Sequence, residues 1–105
     1  MTPDPSRFRI ELAGQAHAHI NRLVTRAEQR GLRPLLLEVL RHLMENLETR
    51  PRDWGDPYIN YHTLNAVGYG RTIVRAGLRV GYAVHETEPV VWVTAVKVLF
   101  GSPFE

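Results

Sequence analysis

From Leu78 to His85 the chain alternates without a break. Leu78, Val80, Tyr82 and Val84 fall on one face of an extended backbone, and Arg79, Gly81, Ala83 and His85 fall on the other. A helix cannot sort residues this way, because its period is 3.6 rather than 2. A lone strand is not stable, so strands must flank it. Upstream, Arg71 to Arg75 is β-branched through Thr72, Ile73 and Val74, and Ala76-Gly77 breaks the run. Downstream, Glu86 to Pro89 supplies a turn. Val90 to about Leu99 is then apolar on both faces, as a central or doubly covered strand is. Residues 70–100 therefore predict a three-stranded antiparallel meander. One of its faces carries small residues and arginine, and function is expected there.

The upstream chain reads as cover for the other face. Phe8, Ile10 and Leu12 alternate with Arg7, Arg9 and Glu11, which predicts a short strand at a sheet edge over Arg7 to Leu12, with Gly14 as its exit. From Gln15 to Arg30 the period becomes helical: Ala16, Ile20, Leu23, Val24 and Ala27 form one stripe, and Gly31 suits a C-cap. A second helix follows, with Pro34 in its first turn and Leu36, Val39, Leu40, Leu43 and Leu47 as its stripe; Arg50-Pro51 ends it. The short connection makes the two helices an antiparallel hairpin. Arg52 to Tyr69 has no sustained period. Gly55, Asp56 and Pro57 signal a turn, and Trp54, Tyr58, Tyr61 and Tyr69 predict a long loop packed on the sheet. The expected fold is α+β: an N-terminal strand, an α-helical hairpin and the three-stranded meander, forming one mostly antiparallel sheet.

Composition bounds what this fold can do. At 105 residues it is expected to be one domain, with residues 1–6 a loose lead-in and residues 101–105 a short tail. No cysteine is present, which excludes disulfides and thiolate metal sites. No run of about 18 apolar residues spans a membrane. The start, MTPDPSRFR, has no apolar segment suited to a signal peptide, so the expected location is the cytoplasm. Lys97 is the only lysine among 13 basic residues. Arginine in this excess suits phosphate and base recognition, and it also follows from arginine-rich codon usage.

The phrases FRIELAGQA before the first helix, PRDWGDP after the second, and above all RAGLRVGYAVHETEPVVWVTAV carry a likeness. In element order and wording the chain resembles the RelE/ParE family of toxins from bacterial toxin–antitoxin pairs. The resemblance implies a RelE-like fold, no cofactor and no metal. It implies a cognate antitoxin as partner, and one of two targets. RelE-like members cut mRNA in the ribosomal A site, and ParE-like members inhibit DNA gyrase without nuclease chemistry.

Cleavage of the RelE type makes the ribose 2′-hydroxyl attack the adjacent phosphate. It needs a base, cations around the phosphorane and an acid for the leaving oxygen. The resemblance places Arg79 and Arg71 on the family's basic positions. His85 ends the second strand on the face of Arg79 and is the first candidate for proton transfer, with Glu86 and His62 behind it. Arg71, Arg75, Arg79 and Lys97 are the expected nucleic-acid contacts. A three-residue loop at Arg75 to Gly77 would gather Arg71 and Arg79 on the open face, whereas a two-residue loop would put Arg71 on the core side; the former is preferred because it buries no charge. The family's arginine at the end of the last strand is replaced by Val98, Leu99 and Phe100. If exposed, these three mark the surface for the antitoxin or for a second copy of the chain. Trp54, Tyr58 and Tyr61 can stack on bases or cover the sheet. His17 and His19 are two apart and diverge on a helix, so they share no metal.

Overall fold

The structure is a computed structural model that describes residues 7–105. The expected lead-in, residues 1–6, lies outside the described residues. Eight elements follow one another: β1 (Arg9–Leu12), α1 (Ala16–Gln29), α2 (Arg33–Thr49), α3 (Pro51–Trp54), β2 (Asp56–Tyr61), β3 (Ala66–Ile73), β4 (Leu78–His85) and β5 (Val90–Val98). Single 3-10 turns at His62–Leu64 and Val74–Ala76 join β2 to β3 and β3 to β4. The fold is α+β, with one mixed five-stranded sheet in the order β1-β5-β4-β3-β2. β1 is an edge strand and runs parallel to β5, with Arg9 beside Val90 and Leu12 beside Val93. All other pairs are antiparallel.

Both long helices form where the apolar stripes predict them. Leu23 and Ala27 of α1 and Leu36, Val39, Leu43 and Leu47 of α2 are buried against Leu78, Val80, Tyr82, Val84, Val91, Val93 and Val96. Gly31 takes φ +69 between the helices, a conformation that favours glycine. Asn46 is buried in α2 with its amide satisfied: Nδ2 donates to the His42 carbonyl at 2.8 Å, and Oδ1 accepts from Arg50 Nε at 2.9 Å. No helix among the described residues is long and apolar enough to cross a membrane.

Three expectations are corrected. The aperiodic stretch Arg52 to Tyr69 is mostly regular structure: the end of α3, all of β2, a 3-10 turn and the first half of β3. The meander therefore has four strands, and its first predicted strand begins at Ala66 and ends at Ile73. Its pattern was hidden because one face of β3 carries Ala66, Gly68 and Gly70, which contribute no apolar signal. Those glycines leave room for neighbouring side chains. A Cβ on Gly68 would stand 2.5 Å from Ile59 Cγ2, and one on Gly70 would overlap the Arg79 guanidinium.

The third correction is the register. Ile73 pairs with Leu78, Thr72 with Arg79 and Arg71 with Val80, around a four-residue turn from Val74 to Gly77. Val74–Ala76 forms the 3-10 turn, and Gly77 leaves it at φ +61. Arg71 thereby lies on the helix-covered face, opposite Arg79. The preferred three-residue turn is overturned because the chain buries Ile73 beside Leu78 and leaves Val74 exposed.

The last five residues form no helix or strand, yet they are packed. Ser102 Oγ donates to the Ala76 carbonyl at 2.6 Å and accepts from the Phe104 N–H at 3.1 Å. Phe104 is buried in the core.

Candidate functional site

The helices cover one face of the sheet. On the other, pairing aligns Thr72, Arg79 and Lys97 in one row, Gly70, Gly81 and Ala95 in the next, and Gly68, Ala83 and Trp92 in a third. His85 stands beyond them, beside Ala66. The middle of this open face is glycine and alanine, and its two ends carry the chemistry. A bulge in β5 leaves Thr94 unpaired between Val93 and Ala95, and a bulge in β2 does the same for Tyr58.

One end is cationic. Arg79 and Lys97 are direct cross-strand partners. Like charges so placed destabilise a sheet. Neither residue forms an ion pair among the described residues. Arg79 is held instead by a neutral group, its Nη1 donating to Thr72 Oγ1 at 3.0 Å. Its guanidinium lies over Gly70, where any side chain would displace it. Tyr58, Gly81, Thr94 and Ala95 complete a hollow of about 220 Å³ around the two cations. Burial pushes the Tyr58 hydroxyl above its ordinary pKa, the Tyr61 hydroxyl adds to this, and the nearby Arg79 charge partly opposes it. Tyr58 thus sets a hydroxyl beside the two cations.

The other end is aromatic. A hollow of about 710 Å³ lies over Ala66 and Ala83, bounded by Tyr61, Leu64, His85 and Trp92. Trp92 Nε1 donates to Glu11 Oε2 at 3.2 Å, and Glu11 Oε1 pairs with Arg9 Nε at 3.1 Å. The His85 and Trp92 rings are 6.0 Å apart, tilted at 59°. His85 Nδ1 accepts the backbone N–H groups of Thr87 at 3.2 Å and Glu88 at 3.0 Å. In the neutral ring the proton therefore sits on Nε2.

The four expected nucleic-acid contacts divide. Arg79 and Lys97 meet on the open face. Arg71 Nη1 donates to the Trp54 carbonyl at 2.9 Å on the opposite face, and its guanidinium lies 5.5 Å from the Trp54 ring centroid. Arg75, in the β3–β4 turn, reaches Glu38 of α2 at 3.4 Å. His85 shares the face of Arg79 but stands six residues along β4, about 20 Å at ~3.3 Å per residue. It cannot transfer a proton at a phosphate held by Arg79. Glu86 and His62 are exposed in turns, and the Glu86 N–H donates to the Asn65 carbonyl at 2.7 Å. His19 Nδ1 accepts the Val96 N–H at 3.1 Å. Val98, Leu99 and Phe100 are exposed, Phe100 at 98%.

Sequence reasoning passed over Trp92, Thr94 and Glu11. Trp92 carried a weak signal as the one aromatic residue in a valine-rich strand. The pairing of Glu11 with it depends on the parallel register of β1 and β5, which no local pattern encodes. No protein-family model, no curated protein and no solved structure matches this chain.

Proposed function

We propose that this protein is a RelE/ParE-like toxin of a toxin–antitoxin pair that engages single-stranded RNA on its open face. One observation carries the reading: two cations, Arg79 and Lys97, are paired across adjacent strands without a carboxylate between them. That arrangement costs stability, and a phosphate would neutralise it. Arg79 presents a fork, Lys97 a point charge, and Tyr58 a hydroxyl donor beside them. In a ribosome-dependent cleavage of mRNA, the 2′-hydroxyl would give its proton to solvent as it attacks, the two cations would neutralise the phosphorane, and Tyr58 would protonate the leaving 5′-oxygen. The open face needs no metal or cofactor for this role. Val98, Leu99 and Phe100 offer an exposed apolar surface for the antitoxin or a second copy.

A second reading is a ParE-like gyrase inhibitor without catalysis. Two observations support it: Arg71 lies on the helix-covered face, and His85 stands too far from Arg79 to act as a base for the 2′-hydroxyl. Induced expression separates the readings, with translation and DNA supercoiling followed in parallel for the native chain and for Arg79→Ala and Lys97→Ala. Growth arrest with cleaved mRNA, lost in both variants, is the expected result. Arrest with lost supercoiling and intact mRNA selects the gyrase inhibitor. No arrest at good soluble expression leaves an interaction protein on this fold.

A further inference from the structure

A phosphate at Arg79 and Lys97 leaves the larger hollow of the open face unused. That hollow is built rather than incidental. Its floor is alanine, so depth comes from missing side chains at Ala66 and Ala83. Two of its walls are fixed before any ligand arrives. Trp92 is tied to Glu11 and through it to Arg9, and His85 is tied by two backbone N–H groups at Nδ1. Its volume, about 710 Å³, is that of a pocket for a small molecule.

We propose that this hollow holds a nucleobase of the bound strand. Aromatic walls favour a flat ligand, and Trp92, leaning on His85 at a tilt of 59°, offers an indole on which a base stacks. The Nε2–H of His85 and the Tyr61 hydroxyl provide polar groups for the edge of the base. Thr94 lines both hollows, so the aromatic end adjoins the cationic one on the same face. The two ends are about 20 Å apart along β4 at ~3.3 Å per residue, farther than one nucleotide reaches. Base and phosphate therefore belong to different nucleotides of one strand. A free nucleotide would offer the same base but could occupy only one end. This inference rests on the reading of the open face as an RNA-binding surface.

The test titrates the full chain with a six-residue oligoadenylate RNA, with an abasic strand of the same length, and with adenosine, following tryptophan emission and heat. Oligoadenylate is expected to bind about ten-fold tighter than the abasic strand, the size of one base-stacking contact. Ala83→Leu, which fills the floor, is expected to bring the two affinities together. Leu64→Ala, at the exposed rim, weakens oligoadenylate binding without touching the core. Equal affinity of the native chain for both strands overturns the proposal. If neither strand binds, the phosphate reading fails, and adenosine decides the pocket by itself. Quenching of tryptophan emission by adenosine that is lost in Ala83→Leu then supports a base pocket for a free nucleoside, and no quenching overturns it.

Discussion

At the scale of single residues, Tyr82 ties the sheet to the chain that leaves the helices. Its hydroxyl donates to the Pro51 carbonyl at 2.5 Å. Its ring stacks on Tyr69 at 5.4 Å and leans on Trp54 at 6.0 Å. A side chain on Gly55 would collide with the hydroxyl, at 2.5 Å. Arg71 caps the cluster through the face of Trp54. Burial raises the Tyr82 pKa from 10.0 to about 12. The neutral form is thus favoured by folding, and its stabilising contribution is complete below pH 10. It is lost as pH rises from 10 toward about 12, where the unfolded chain has released the proton and the folded chain still binds it. Denaturant titrations across this range should show stability falling with pH in the native chain. In Tyr82→Phe that tyrosine's share of the fall disappears. At neutral pH the same variant should lose about 1–2 kcal/mol, because the buried Pro51 carbonyl keeps no donor.

At the scale of elements, the two long helices and β4 were legible because each buries one continuous apolar stripe. Leu78–His85 has the observed bounds to the residue. β2 and the first half of β3 were not legible. Tyr58, Ile59 and Tyr61 of β2 fold over Gly68 of β3, so the large residues of one strand compensate for a missing side chain of the next. Alternation read one strand at a time cannot register that exchange. The tail is a similar case. Phe104 and Phe100 are the same residue type four positions apart, one buried at 2% and the other exposed at 98%. The Ser102 hydrogen bonds to Ala76 and Phe104 make the difference. Phe104→Ala should cost about 3–5 kcal/mol in thermal or denaturant unfolding. Phe100→Ala should stay within about 0.5 kcal/mol.

At the scale of the whole molecule, the sheet separates two kinds of arginine that sequence alone treats alike. Those on the helix side, Arg71 and Arg75, serve the fold, and Arg79 with Lys97 faces outward. The formal net charge is only +2, so overall attraction to nucleic acid is weak and affinity rests on the local pair. Each phosphate contact on a single strand contributes about 0.7 to the slope of log affinity against log salt. Replacing Arg79 and Lys97 together should therefore lower that slope for oligoadenylate by about 1.4. Arg71→Ala should leave the slope unchanged while lowering the midpoint of thermal unfolding.

The sequence by itself determined which segments become the two long helices, where β4 lies, and that one sheet face would be small and cationic. These follow from periodicity and residue size, which act over a few neighbours. Only the tertiary structure decided which cations share that face. The decision came from a four-residue turn and a one-residue shift of register, and in a sheet such a shift exchanges every side chain between the faces. It also decided that Trp92, Glu11 and Arg9 form one wall, because a parallel pairing brings together residues about eighty positions apart.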